Sequence, residues 1–412
     1  MKLFDNYPVK RIRLSLAVNT MRKLLRITTI PLSLQVLLTG QPAFFRTRGF
    51  LVHTGSGPGN GGGSAEQHKV LPLSRELSPV QDLKALWATY RYLKNLRPHI
   101  VHTHTPKAGL IGMLAARLAG IPLRLHTVAG LPEMEAKGGL KFLLRLTERL
   151  TSACATRIYP NSQGLYQYML DNRMAPRHKM KVIGHGSSNG IDTTHFAATP
   201  ALRAEAVRIR EQYHIPQAAP AFVFVGRLDN HKGMRELRQA FSTLSEQQSD
   251  LHLLLVGPVE EARGGLDPDT LSWFQEHPRV ILPGFQHDVR PWLLAGQVLV
   301  FPSYREGFPN VPLQAAALGL PAIVTDINGC NEIVAEGVNG LLVPKKDAQA
   351  LQVAMQWMLD HPEERIRMGQ SARTRIVDRY ERTWFWQQLE QEYRALLQAK
   401  GLPLPTPQTS TN

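Results

Sequence analysis

The sequence predicts an α/β protein built from two parallel-sheet domains. Strand-like apolar runs alternate with helical runs along most of the chain, the rhythm of βαβ units. The series restarts near Ala221, after a polar stretch at 195–219. A length of 412 residues with 43% hydrophobic content is enough for two cores.

The elements follow in order. The first half reads as strands at 24–30 and 50–54, a helix at 79–96 and a strand at 99–105. A small-residue helix at 108–119, a strand at 122–128 and strands near 157–160 and 181–184 complete it. The second half reads as a strand at 221–225, a helix at 233–246, a strand at 251–256, and strands near Val280, Val298 and Ala322. The last strong helix covers 381–398, with Trp384, Phe385, Leu389, Tyr393, Leu396 and Leu397 as its apolar stripe. Residues 401–412, rich in Pro and Thr, read as a loose tail. Residues 1–20 read as an N-terminal extension, either a surface anchor or a stretch ahead of a start at Met21.

Charge is uneven. Residues 1–200 hold 27 Lys or Arg against 9 Asp or Glu, and residues 201–412 hold 21 against 24. The balances, +18 and −3, sum to +15. A basic half beside a near-neutral one points the first half at something anionic. Zinc-finger spacing, RNP motifs and basic-helix patterns are missing, so an anionic membrane face is favoured over nucleic acid. Two cysteines, Cys154 and Cys330, cannot form a disulfide framework and fit a reducing compartment. No uninterrupted apolar stretch is long enough to predict a transmembrane helix.

The densest signal is FPSYREGFPNVPLQAAALGLPAIVTDINGCNE at 301–332. It reads as strand, loop, helix, strand, with Asn310 as the helix cap, Pro312 in the first turn, and Gly319 and Pro321 as the stop. An uncovered helix N-terminus holds phosphate. Glu306 precedes that terminus and Gln314 lies inside the helix, placed to reach hydroxyls on either side of a phosphate. The segment resembles the retaining family-4 glycosyltransferases of GT-B fold, whose mark is Glu, seven residues, then Glu. Glu306, Gly307, Phe308, Pro309, Ala315, Ala317, Gly319 and Pro321 match that context, and Gln314 stands where the second acid belongs. The resemblance implies that Glu306 contacts the donor sugar and that position 314 binds the ribose. A neutral amide there makes weaker hydrogen bonds than a carboxylate.

Upstream, Phe222–Val225 leads into Gly226, Arg227 and Leu228, with Lys232 and Gly233 following. A glycine after a strand admits a ligand to the backbone, and Arg227 and Lys232 match a diphosphate at the carboxyl edge of a sheet. The same pair serves the nucleoside diphosphate in the resembled family, which needs no metal. The resemblance also puts Gly284 and Phe285 near the nucleobase, and the amides at 307–311, including Asn310 and Val311, on the diphosphate. Asp267 and Asp269 imitate a metal-binding Asp-x-Asp but follow glycines, so they read as a turn and helix cap.

In the first half, alternation puts His102 and His104 on one strand face, without a third metal ligand. Lys107 and Gly109 open the next helix, where they can touch phosphate. His126 lies three residues before Ala129, which occupies the family's usual histidine place, and is a candidate catalytic group on the acceptor side. Residues 130–150 combine an apolar stripe (Leu140, Leu143, Leu144, Thr147, Leu150) with Lys137, Lys141, Arg145 and Arg149. Such a helix rests on anionic lipid or packs as an ordinary core helix with a solvated face. Gly57, Gly59 and Gly62 satisfy G-x-G-x-x-G without βαβ context, so a loop is expected there.

The resemblance implies a GT-B enzyme with two Rossmann-like domains facing a cleft: 21–195 for the acceptor, 196–380 for the nucleotide-sugar, and 381–400 crossing back to the first. The implied reaction moves a hexose or N-acetylhexosamine from a nucleotide-sugar, UDP-linked, to a lipid-linked glycan for cell-surface polysaccharide. No cofactor, no metal and no nucleic-acid partner are expected. The expected location is cytoplasmic, peripheral at the inner face of the plasma membrane. Two alternatives are a nucleotide-sugar 2-epimerase, against which stands the lack of paired acids in the first half, and a non-catalytic sugar-nucleotide-binding partner.

Overall fold

The computed structural model describes residues 21–59, 67–76, 78–134, 136–260 and 265–407. The N-terminal extension at 1–20, residues 60–62 of the glycine motif and the end of the tail lie outside them. The chain divides into two compact units. One comprises Met1–Asn161, Leu165–Gly184 and Trp384–Asn412; the other comprises Ser162–Gly164 and His185–Thr383.

The first unit runs β1 (Arg22–Ile27), α1 (Pro31–Leu38), α2 (Gln41–Thr47), β2 (Phe50–Ser56), β3 (His68–Val70), α3 (Pro79–Leu96), β4 (Ile100–Thr103), α4 (Pro106–Leu118), β5 (Leu123–Val128), α5 (Gly138–Cys154), β6 (Arg157–Pro160) and α6 (Gln163–Asp171). Its six strands are all parallel, in the order β3-β2-β1-β4-β5-β6. Alternation along β1 splits the core. Leu25 and Ile27 pack with Ala85, Leu93, Ile111 and Ala115 of α3 and α4. Leu24 packs on the other face with Phe45, Phe50 and the C-terminal helix Arg382–Ala399, through Phe385, Trp386, Leu389, Tyr393 and Leu397.

A buried polar knot lies on that second face. Arg26, 1% exposed, donates to the Tyr393 hydroxyl, and its Nη1 lies 3.3 Å from His102 Nδ1. Burial holds the Arg26 guanidinium below its ordinary pKa. Phe45 and Tyr393 stack at 5.2 Å beside it.

The second unit runs α7 (Pro200–Gln212), β7 (Ala221–Val225), α8 (Met234–Gln247), β8 (His252–Val256), α9 (Pro268–Glu276), β9 (Val280–Gly284), α10 (Arg290–Ala295), β10 (Val298–Phe301), α11 (Asn310–Ala317), β11 (Ala322–Thr325), α12 (Cys330–Ile333), β12 (Gly340–Val343), α13 (Ala348–Asp360) and α14 (Pro362–Tyr380). Its six parallel strands follow β12-β11-β10-β7-β8-β9. Numbered from β7, that is the same doubly wound order as in the first unit. β7 and β8 are buried throughout, as central parallel strands are when helices cover both faces.

One expectation is corrected. Residues 181–184 form no strand: among the described residues, an isolated bridge from Ile158 to Met180 and a bond from Lys181 N to Ile158 O join this stretch to the sheet edge. The polar stretch at 195–219 contains α7. Its stripe of Leu202, Ala206 and Ile209 is narrow but helical in spacing, and Thr199 Oγ1 caps it by accepting from Leu202 N at 3.3 Å.

Candidate functional site

The order of the second sheet makes β7 and β10 neighbours whose chains continue in opposite directions across the sheet. That switch point leaves a crevice at the strands' carboxyl ends. The loops after β7 and β10 meet there. Asp229, 3% exposed, accepts at one oxygen from His231 N (2.9 Å) and Lys232 N (3.1 Å), shaping the first loop. Tyr304 N bonds His231 O at 2.8 Å, tying the second loop to the first. Gly233 has φ +71°, and a Cβ there would strike the Pro302 carbonyl, so the approach needs glycine.

The tie brings Lys232 to Glu306. Its Nζ pairs with Glu306 Oε1 and lies 5.2 Å from the centre of the Phe301 ring. Ser303 Oγ donates to the same Oε1 at 2.8 Å. Arg227 is turned elsewhere. More than half exposed, it bonds Glu260 Oε2 at 2.7 Å and approaches Asp229 at 3.5 Å. Burial, then the Glu236 carboxylate 2.6 Å away, raises the Tyr304 phenol above its usual pKa.

Beyond Glu306 the loop passes Gly307 and Phe308, whose ring lies 5.4 Å from Tyr380. The cap of α11 is Pro309, not Asn310, and the proline side chain makes no cap bond to the terminus. Extended backbone at Pro309 starts the helix one residue earlier, leaving Asn310 exposed in the first turn. The Asn310 and Val311 amides therefore have neither an i−4 carbonyl nor a side-chain cap. Gln314 is half-buried on the second turn. Asn328 Nδ2 holds the loop from below, donating to Gly307 O at 2.8 Å and Glu306 O at 3.3 Å. A Cβ on Gly329, at φ +78°, would lie 2.5 Å from Gly307 O. Ser303, Asn328 and Asp229 escaped sequence reading. Their signal was position alone: polar residues in the loops that follow strands that turn out to be adjacent.

Gly284 ends β9 and Phe285 follows it, two strand spacings from β7, roughly 10 Å. Phe285 is 63% exposed and edge-on to His287 at 5.0 Å. Asp267 caps α9, accepting from Thr270 N at 3.0 Å, and pairs with Arg235. A cavity of about 1060 Å³ lined by Gly296, Gln297, Pro321 and Arg373 is at the opposite edge of this sheet and contains none of the candidate residues.

In the first unit, the candidate His126 is buried, 2% exposed. β5 points it under α4, where Gly109 leaves room for its ring, and Thr103 Oγ1 bonds its Nδ1 at 2.7 Å. Its Nε2 is 3.8 Å from Glu148 Oε1. Burial pulls the His126 pKa down to about 4. Burial, then the Glu133 charge, pushes Glu148 up to about 7. Glu133 is 1% exposed and accepts from Tyr168 OH at 2.8 Å and Arg145 Nε at 3.3 Å. The first half thus holds two buried acids that sequence reading missed. His104, 3% exposed, stacks on His102 at 4.2 Å, as alternation required. Lys107 pairs with Asp82 at 2.7 Å and with the Glu76 carbonyl.

Helix α5 is inverted. Leu140, Phe142, Leu143, Leu146 and Leu150 are exposed, whereas Glu148, Thr151, Ser152 and Cys154 are buried. Arg145 bonds Glu133 and Asn172 and Arg149 bonds the Asn172 carbonyl, while Lys137 and Arg149 are exposed and Lys141 is half-buried. Val80, Leu83 and Trp87 of α3 are exposed as well, with the Arg91 guanidinium 4.6 Å above the Trp87 ring. Among the described residues no helix is long and apolar enough to cross a membrane.

A family model described as glycosyl transferases group 1 matches residues 219–361, and one described as a glycosyl transferase 4-like domain matches 46–186. The capsular polysaccharide biosynthesis glycosyltransferase CapM of Staphylococcus aureus is 31% identical over 383 residues, covering 91% of this chain and 98% of that protein. The UDP-Gal:alpha-D-GlcNAc-diphosphoundecaprenol alpha-1,3-galactosyltransferase of Escherichia coli is 30% identical over 309 residues, covering 74% and 78%. The crystal structure of Anabaena HepE in complex with UDP superposes with a TM-score of 0.74 at 18% identity, covering 90% of this chain and 100% of that one. At that identity the likeness shows the fold alone, the two-domain α/β architecture of GT-B type.

Proposed function

The chain belongs to the group 1, family-4-like glycosyltransferases, and we propose that it moves a hexose or N-acetylhexosamine from a UDP-linked donor to a lipid-linked glycan, with retention at the anomeric carbon, during cell-surface polysaccharide synthesis. The observation that carries the reading is the meeting of Lys232, Glu306 and the uncapped α11 amides at one switch point. The named activities of the Staphylococcus and Escherichia relatives support the sugar and acceptor classes.

Each residue has a task under this reading. Lys232 and the amides of Asn310 and Val311 take the diphosphate. Arg227 joins them by exchanging Glu260 for a phosphate, since an exposed ion pair is worth at most about 1 kcal/mol. As the bond from the anomeric carbon to the diphosphate oxygen breaks, charge grows on the leaving group, and donors aimed there beforehand lower the barrier. Glu306 accepts from the donor sugar, Gln314 bonds the ribose diol, and Phe285 offers an exposed ring to the base at the Gly284 turn. No metal is required, because cations and amides supply the positive field. The first unit takes the acceptor near His104 and Lys107. Its outward α3 and α5 faces rest on the anionic inner leaflet, where each basic side chain adds about 1 kcal/mol.

Thermal unfolding in the presence of a panel of nucleotide-sugars tests the reading. A bound donor at 100 times its Kd adds about 2.7 kcal/mol of stability. Stabilisation by UDP-sugars is expected, followed by transfer to a diphosphopolyprenyl glycan. A panel without effect, or conversion of a UDP-sugar with no acceptor present, contradicts it.

A further inference from the structure

The Glu306 carboxylate is held from one side only. Lys232 Nζ and Ser303 Oγ both bond Oε1, and among the described residues no bond to Oε2 is found. Ser303 is fully buried two residues past β10, so water does not compete for its hydroxyl. Its backbone is fixed from both sides: Thr325 Oγ1 of β11 donates to the Ser303 carbonyl, and the next amide, Tyr304 N, bonds His231 O at 2.8 Å. The Cys330 thiol is buried nearby, its pKa raised by burial and then by the Glu306 charge.

The two partners of Oε1 differ in permanence. Lys232 has a long flexible stem and an ammonium that a diphosphate attracts more strongly than a single carboxylate does. Ser303, two residues past the end of β10, has one short rotor, and Glu306 Oε1 at 2.8 Å is the nearest of its acceptors, ahead of Arg305 O at 3.3 Å and His231 O at 3.5 Å. When Lys232 turns to the diphosphate, the serine bond remains.

We propose that Ser303 is a positioning residue for the donor sugar: it keeps Glu306 Oε1 anchored while Lys232 engages the diphosphate, so that Oε2 is the oxygen presented to a sugar hydroxyl. This rests on the transferase reading above. It predicts that Ser303 affects recognition of the sugar and leaves recognition of the nucleotide alone.

The experiment compares wild type, Ser303→Ala and Ser303→Thr by titration with UDP and with the UDP-sugar that stabilises the wild type most, and by steady-state transfer rates. A bond to a charged group is worth enough for a loss of about tenfold or more. Ser303→Ala is therefore expected to bind UDP as the wild type does, while UDP-sugar affinity and kcat/KM fall by that factor. Ser303→Thr, which retains the hydroxyl, recovers part of the loss. Equal UDP-sugar affinity and kcat/KM in Ser303→Ala and wild type overturn the assignment. So does a parallel loss of UDP and UDP-sugar binding, which marks damage to the whole lobe. A wild type that binds no UDP-sugar refutes the transferase reading itself, an outcome separate from these.

Discussion

Two buried groups in the first unit titrate against each other. Glu148 is raised to about 7, so between its ordinary 4.5 and 7 the folded chain binds more protons than the unfolded, and stability falls as pH rises. His126 is lowered to about 4, so between 4 and 6.5 the unfolded chain binds more protons, and stability rises with pH. Each slope amounts to a few kcal/mol at about 1.36 kcal/mol per unit, and over the shared window they nearly cancel. Glu148→Gln removes only the falling slope. Its denaturation midpoint should therefore climb more steeply between pH 4 and 6.5 than that of the wild type, in which Glu148 offsets part of the rise that His126 and the other buried histidines, His102 and His104, contribute. A level profile in the variant contradicts the burial account. This pair also shows why the candidate site was only partly legible. Lys232 and Glu306 announced themselves through loop position and charge. Glu133 and Glu148 did not, because spacing within one helix cannot show that Glu148 faces inward beneath β5.

At the scale of elements, α5 carries the largest surprise. Its sequence offers an apolar stripe and a basic stripe, and periodicity alone gives no preference for which one packs inward. The fold resolves this through small neighbours. α4 buries Gly109, Ala115 and Ala116, and the side chains that α5 buries are Glu148, Thr151, Ser152 and Cys154 rather than its leucines. Five large apolar side chains are left outside, more than a solvated helix normally displays. On the membrane proposal, Phe142→Asp combined with Leu146→Asp should reduce sedimentation with anionic vesicles at least tenfold, since two apolar groups no longer insert and two negative charges are added. The same protein should release from wild-type binding as salt rises. Unchanged sedimentation of the double variant, or indifference to salt, contradicts it. The C-terminal helix, by contrast, was legible throughout, because Phe385, Leu389, Tyr393 and Leu397 repeat at helical spacing and find Phe45 and Phe50 waiting.

Across the whole molecule, one topology is used twice. Alternating strand and helix runs made that readable, since a parallel sheet demands a crossover for each strand. What they could not convey is which strands are adjacent. Only the order β10-β7 makes the Arg227–Lys232 loop and the 302–309 loop neighbours, and under the proposed function it is this adjacency that would make two modest motifs one anion site. The most direct measurement of that claim is calorimetric titration of UDP into wild type and Lys232→Ala. The account predicts binding to the wild type and at least tenfold weaker binding to the variant, the worth of one charged hydrogen bond. A folded Lys232→Ala protein that binds UDP as tightly as the wild type would contradict it.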